Sequence, residues 1–391
     1  MTKNKLAKTP DIKSLINKLL STPSISCTSA DIDQGNLHVI NQLADWFENL
    51  GFHCEIQIID SEKDKANLIA TLGAGNNGLV LAGHTDTVPF DENRWQVEPF
   101  GLTEKDDRFY GLGSCDMKSF FAVILEALKA IDLNKIKQPL IILATADEET
   151  SMSGAKAIAK HASQLGINNA RYAVIGEPTN MQAVRLHKGM MMEAIQLSGR
   201  AGHSSNPALG NNALEAMHKV ISELLRWREE LQRKYHNPMF EVPVPTMNFG
   251  HIHGGDNPNR ICGSCELQID IRPLPGMKVT DLRAEMQQRL KNVLRNTGIH
   301  FKTVALFDGI DAMETSNNAE LVKLAEKMTG TESQAVAFAT EAPYYNAMGL
   351  DTIVMGPGSI NQAHQPDEYI ETKILNPAVD IIRQLIVHYC C

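Results

Sequence analysis

The sequence predicts an α/β protein in which a mostly parallel sheet is flanked by helices and a separate α+β block is inserted into the chain. Two kinds of strand pattern and a length of 391 residues lead to this reading. The first kind is apolar throughout, as expected of strands covered by helices on both faces. The second alternates in polarity, as expected of a strand with one face on a core and the other open. The length exceeds what a single hydrophobic core usually serves, so two structural units are expected.

Along the chain, Ile12, Leu15, Ile16 and Leu19 recur at helical spacing, as do Leu37, Ile40, Leu43 and Phe47 ahead of Gly51. The first apolar run is Leu79-Val80-Leu81-Ala82. A helix through Phe121, Ile124, Leu125 and Leu128 separates it from the second, Leu140-Ile141-Ile142-Leu143-Ala144. The third is Ala173-Val174-Ile175, and the fourth, Thr352-Ile353-Val354-Met355, lies far downstream. Between the last two runs comes the alternating pattern, in which Cys265, Leu267, Ile269 and Ile271 face one way and Glu266, Gln268, Asp270 and Arg272 the other. Its surroundings read as strand (Met190 to Leu197), helix (Leu214, Met217, Ile221, Leu224, Leu225), strand (near Phe249), strand (Cys265 to Ile271), helix (Leu282, Met286, Leu290, Val293) and strand (near Phe301). That is a ferredoxin-like order. The insert is placed at residues 187–307, leaving a discontinuous first domain at 1–186 and 308–391.

Apolar residues make up 43% and charged residues 21% of the chain, the balance of an ordinary soluble globular protein. No segment approaches the roughly 18 apolar residues that a membrane span needs. The net charge of -9 disfavours nucleic acid and an anionic membrane surface as partners, so a small-molecule substrate is expected. The Lys-rich stretch Met1 to Pro10 runs into an amphipathic segment rather than the apolar core of a signal peptide, which predicts a cytoplasmic location. Seven cysteines with no secretory signal point to free thiols. Cys262 and Cys265 form one CxxC but lack the second pair that a structural zinc site needs.

In open α/β sheets ligands bind at the carboxyl ends of the strands. The residues that follow the apolar runs are almost all of metal-ligand type. GHTD brings His84 and Asp86, ADEE brings Asp147, Glu148 and Glu149, GEPT brings Glu177, and GPGSINQAHQPDE brings His364. YGLGSCDMK places Asp116 in a glycine-punctuated loop just before the helix through Phe121. Singly, each has a plainer reading: a histidine after a strand can be structural, and acids at helix starts favour the macrodipole. Together they would repel one another unless a cation neutralised them. Mixed imidazole and carboxylate donors suit zinc, cobalt or manganese, whereas calcium and magnesium prefer oxygen alone, so zinc leads.

Taken together, GHTDTVPF, YGLGSCDMK, LATADEETSMSGA, IGEPT, SGRAGHSSNPA, NRICGSCELQIDIRPLPGM and GPGSINQAHQPDE resemble the acetylornithine deacetylases over most of the chain. Those belong to the two-metal hydrolases that include succinyl-diaminopimelate desuccinylase, carboxypeptidase G and aminoacylase. The resemblance implies a zinc-peptidase-like catalytic domain holding two divalent ions, zinc or cobalt, and an inserted dimerisation and lid domain that makes a homodimer. By the same resemblance Asp116 bridges the ions, His84 and Glu177 complete one site, and Glu149 and His364 complete the other. Glu148 becomes the general base and Asp86 orients His84. His203, in SGRAGHSSNP, would reach the active site of the partner copy and stabilise the oxyanion. A cis peptide after Asp116 is also implied. Ser119 departs from the pattern, standing where glycine is expected after Asp-Met-Lys. The implied reaction removes the acetyl group of N2-acetyl-L-ornithine, and an aminoacylase, dipeptidase or desuccinylase would share the same metal centre.

Elementary chemistry is consistent with these roles. A shared carboxylate suits two metals roughly 3.5 Å apart that activate one water. Neighbouring Glu148 and Glu149 allow one acid to bind metal while the other reaches that water. A carboxylate two residues beyond His84 can accept the second imidazole N–H and fix the tautomer. On the insert, the planar fork of Arg272 suits a free α-carboxylate, with Asn259 and Arg260 as further candidates. A substrate δ-ammonium needs an acid outside the metal set, and Glu341, in ATEAP, is nominated against the alternative that it merely caps the following helix.

Overall fold

The computed structural model describes residues 10–60 and 62–391. The Lys-rich stretch Met1 to Pro10, on which the N-terminal expectation rests, lies outside the described residues apart from Pro10.

The four continuous apolar runs form four mutually parallel strands, Gly78–His84, Leu140–Thr145, Ala170–Pro178 and Asp351–Gly356. Gly78–His84 and Leu140–Thr145 are buried at every position, which is why neither carries a polar face. Two antiparallel strands, His53–Asp60 and Lys65–Leu72, extend the sheet beyond Leu140–Thr145. The sequence expectation lacks them. His53–Asp60 is an edge strand whose Ile56 and Ile58 stay 37% and 53% exposed, so burial imposes little pattern on it. Helices Ile12–Leu20, Leu37–Leu50 and Ser119–Lys129 fall where periodicity places them, and Gly51 ends the second in the left-handed conformation with φ 97°. The C-terminal helix Leu375–Cys390 packs on Ser119–Lys129 and on the Gly78–His84 strand. Phe47, Leu81, Phe121, Ile142 and Leu385 are wholly buried in this core.

The chain divides into two compact units, one of Met1–Arg185, Thr315–Gln334 and Thr340–Cys391, the other of Leu186–Glu314 and Ala335–Ala339. The second block thus extends past the expected end at residue 307. Its tail stays because Met190 and Ile310 exchange backbone hydrogen bonds of 2.9 Å and Met313 pairs with His187. Within this unit the strands run Thr246–Gly254, Ser264–Arg272, Met191–Ser198, His300–Ala305, all antiparallel. Cys265, Leu267, Ile269 and Ile271 are buried, as the alternation predicts. Helices Ala213–Lys234 and Val279–Val293 cover that face around wholly buried Trp227 and Met286. Leu214 is a correction: it is 49% exposed in the first turn, where Ala213, Ala216 and Met217 take the inner stripe instead.

Among the described residues no helix is long and apolar enough to cross a membrane. All seven cysteines are free thiols, including the buried Cys262 and Cys265.

His187, in the second unit, is wholly buried, and burial pushes its imidazole down to about 4 against the raising influence of the Lys188 carbonyl 2.8 Å from Nδ1. Unfolded, the ring takes up its proton near 6.5, so between these two values the unfolded state binds more protons. The contribution to stability is complete above that window and lost as pH falls through it. Urea unfolding should show about 2 kcal/mol less stability from this group at pH 5 than at pH 7. His187→Gln should flatten the slope by that amount, and an unchanged slope would assign the loss to other groups.

Candidate metal centre

The carboxyl ends of the parallel strands gather the ligand candidates. His84 is the last residue of its strand, Glu177 lies near the end of the next, and the turn after Leu140–Thr145 carries Glu148 and Glu149. Two glycines let the Asp116 loop approach. A Cβ at Gly83 would lie 2.1 Å from Met117 Cε, and one at Gly176 would lie 2.1 Å from the Phe120 ring. Met117 directly follows Asp116 and Phe120 lies in the first turn of the helix beyond it, so bare strand backbone seats the loop and the helix start over the strand ends. The Asp116–Met117 peptide is cis.

Asp116 faces two different imidazoles. Its Oδ1 is 3.1 Å from His84 Nε2, and its Oδ2 is 3.6 Å from His364 Nε2. Glu177 Oε1 is 3.6 Å from His84 Nε2, and Glu149 Oε2 is 3.0 Å from His364 Nε2. Donor atoms of His84, Glu148 and Glu177 lie within 4.8 Å of one another, as do those of His84, Asp116 and Glu149. Glu148, expected as a base, therefore also stands within reach of a cation.

Asp86 departs in detail from its expected part. His84 Nδ1 meets the Asp86 backbone carbonyl at 2.9 Å, while the carboxylate is 3.7 Å away. That carboxylate instead accepts the backbone N–H groups of Glu148 and Glu149 at 3.2 and 3.1 Å, holding the turn that presents both acids.

Sequence reasoning missed the other residues that fix the site. Glu368 accepts the N–H groups of Gly113, Cys115 and Asp116 at 2.9, 2.7 and 2.9 Å, and its neighbour Asp367 accepts those of Gln96 and Val97 at 2.7 and 3.2 Å. The HQPDE segment therefore offers His364 to the centre while pinning two loops. Two acids three and four residues beyond a candidate ligand were the available signal.

The electrostatics ask for cations. Burial pushes the carboxyls of Glu148 and Glu177 well above the usual range, and repulsion from Glu177 and Asp116 respectively adds to it. Glu149 is raised by burial and then by Asp116. Burial works against protonated His84, yet Glu177 and Asp116 more than offset this and raise its pKa. Acids so crowded and so dry are stable as anions only with positive charge among them. The donor set of imidazole nitrogens and carboxylate oxygens thus fits divalent ions, with Asp116 able to serve two.

Glu341 is buried, and its Oε1 has no hydrogen-bond partner among the described residues. Burial pushes its carboxyl up to about 7, with Thr145 pulling the other way. Its side chain makes no capping bond to helix Ala342–Ala347, so the plainer capping alternative is not realised.

The remaining candidates belong to the second unit. His203 and Arg260 are bridge partners, and Ser204 N–H donates to the Asn259 carbonyl at 3.0 Å, bringing these three positions together. Ser205 donates to His203 Nδ1 from its hydroxyl at 2.7 Å and its N–H at 3.2 Å, which makes Nε2 the proton-bearing nitrogen. Arg272 stands apart from them on the polar strand face, where its Nε donates to Asp270 Oδ2 at 3.1 Å.

Residues 80–388 match the model of peptidase family M20/M25/M40. The chain is 50% identical over 381 residues to an acetylornithine deacetylase of Pectobacterium carotovorum subsp. carotovorum (strain PC1), covering 97% of this chain and 98% of the relative. Among solved structures it is similar to an M20 family metallo-carboxypeptidase from Sulfolobus solfataricus, with TM-score 0.74, 20% identity and coverage of 97% and 99%. It is also similar to a dinuclear metal binding M20 peptidase from Bacillus subtilis, with TM-score 0.66, 14% identity and coverage of 99% and 98%. At these identities the structural likeness is one of fold, whereas the match of the family model and of the Pectobacterium relative runs through the strand ends that carry the candidate ligands. The chain belongs to peptidase family M20/M25/M40.

Proposed function

We propose that the chain hydrolyses the amide bond of N2-acetyl-L-ornithine to give acetate and L-ornithine, as a step of arginine biosynthesis in the cytoplasm. The observation that carries the hydrolase chemistry is Asp116, whose two carboxylate oxygens face two different imidazoles. The substrate is taken from the relative that is 50% identical over nearly the whole chain.

His84, Glu177 and Asp116 would hold one ion, and Asp116, Glu149 and His364 the other. Zinc is the ion that this donor set favours, with cobalt compatible. Bound there, the ions would polarise the acetyl carbonyl and lower the pKa of water. The carboxylate of Glu148 takes a proton from the attacking water and delivers it to the departing amine nitrogen. Asp86 keeps the Glu148 and Glu149 turn in place through two N–H bonds. In a homodimer formed through the inserted domain, the Nε2–H of His203 donates to the developing oxyanion. Arg272 binds the α-carboxylate, with Asn259 and Arg260 as the alternative candidates for that contact. Glu341, buried with an unpartnered oxygen, receives the δ-ammonium.

Turnover of N-acetylornithine, N-acetylmethionine, a dipeptide and succinyl-diaminopimelate should show a clear preference for the first. Preference for any of the others would identify a different amidohydrolase on the same scaffold, such as an aminoacylase, dipeptidase or desuccinylase. Glu341→Gln keeps the shape of the side chain and removes its charge. It should lower kcat/KM for N-acetylornithine by about 10- to 100-fold, as expected for a lost charged hydrogen bond, while N-acetylmethionine is turned over nearly as before. Unchanged discrimination between the two would remove Glu341 from the recognition site.

A further inference from the structure

Behind the turn that carries Glu148 and Glu149 lies a buried ion cluster contributed by distant parts of the chain. Asp147 opens the turn at φ 60°, in the left-handed region that residues other than glycine seldom enter. Its carbonyl accepts the N–H groups of Ser151 and Met152 at 3.0 and 2.6 Å. A backbone of this kind persists where its surroundings over-determine it. The Asp147 carboxylate supplies the restraint. Its Oδ1 accepts from Lys65 Nζ at 2.6 Å and Ser26 Oγ at 3.0 Å, and its Oδ2 accepts from Ser153 Oγ at 2.8 Å.

Lys65 begins the antiparallel strand Lys65–Leu72 and is 5% exposed. Its ammonium donates also to Asp33 Oδ1 at 2.8 Å, and Asp33 accepts the Cys27 N–H and Lys63 Nζ, each at 3.0 Å. Lys65 is thus a nearly dry cation held between two carboxylates from opposite sides. Moving it would leave the Asp147 carboxylate with the hydroxyls of Ser26 and Ser153 but without its ion-pair partner, which is costly for a buried anion, so the cluster resists displacement.

We propose that Lys65 is a positioning residue for the hydrolysis: by clamping Asp147 it fixes the turn from which Glu148 meets the water and Glu149 the cation. This rests on the reading of Glu148 as general base. Lys65 touches no reacting atom and acts only through Asp147. The clamp completes a two-sided grip, since Asp86 holds the N–H groups of Glu148 and Glu149 while Lys65 holds the side chain of the residue before them.

The test compares Lys65→Met, Asp147→Asn and the double variant with the zinc-loaded enzyme, measuring kcat, KM, zinc affinity by titration and thermal midpoint. Misplacing the base should lower kcat by about 10- to 100-fold in each single variant. KM should stay within about threefold, because the substrate contacts lie elsewhere. Zinc should bind more weakly in both, since Glu149 shares the turn, and the double variant should be no worse than the worse single one because the pair acts as a unit. A lowered thermal midpoint with kcat per zinc-loaded enzyme unchanged would reduce Lys65 to a stabilising ion pair and overturn the proposal. Should Lys65→Met fail to fold, Asp147→Asn decides, because it keeps the side-chain shape and unchanged kcat there overturns the clamp. Glu148→Ala measured alongside separates the two levels: full turnover in it overturns both readings, whereas its loss with full kcat in Asp147→Asn overturns the clamp alone.

Discussion

Glu148→Ala should lower kcat by about 10²- to 10⁴-fold, the range for losing a positioned general base, while leaving the folded protein and its binding of the two proposed ions intact. The expectation follows from where the side chain sits. Glu148 shares with Glu149 a turn held by Asp86, yet only Glu149 lies within hydrogen-bonding distance of His364. Burial pushes the Glu148 carboxyl up, the direction that suits a group which must accept a proton and then give it up, and repulsion from Glu177 adds to this only where no cation stands beside them. Steady-state kinetics together with zinc analysis checks this. Turnover within tenfold of the parent enzyme would end its assignment as the base. Loss of one zinc along with activity would make Glu148 a ligand instead, an outcome its proximity to His84 and Glu177 makes worth measuring.

Much of this arrangement was legible in the sequence for one physical reason. A strand buried on both faces must be apolar throughout, so the few polar residues at its carboxyl end stand out, and His84, Glu177 and the Glu148–Glu149 pair were visible that way. The edge strand His53–Asp60 was not, because burial imposes little pattern on it, nor was its inner neighbour Lys65–Leu72, where buried Lys65 and Asn67 interrupt the apolar run. Nor was Lys65, which looks like a solvated strand residue until folding brings it against Asp147, 82 residues away. Asp86 was half legible. Proximity in sequence placed it beside His84, but only the folded turn shows its carboxylate spent on the N–H groups of Glu148 and Glu149. Glu368 was hidden differently: its partners are backbone N–H groups, which every residue but proline carries and no motif distinguishes.

Asp116→Asn should have the largest effect of any conservative change, abolishing measurable hydrolysis and reducing bound zinc from two ions to one or none. An amide keeps one acceptor oxygen but presents N–H donors on its other side, so it can serve one cation and must repel a second. Because Oδ1 faces His84 and Oδ2 faces His364, whichever way the amide turns, one of the two sites loses an anionic ligand. Substitutions that only perturb the support of a metal ligand already cost about 10- to 100-fold in affinity, so removing a shared ligand should exceed that for the affected ion. Zinc titration of the variant, with turnover measured in parallel, tests both halves. Two tightly bound ions in Asp116→Asn would show that the carboxylate does not bridge. Hydrolysis sustained by the single remaining ion would show that Glu148 and one cation suffice, and that the second site serves the fold more than the chemistry.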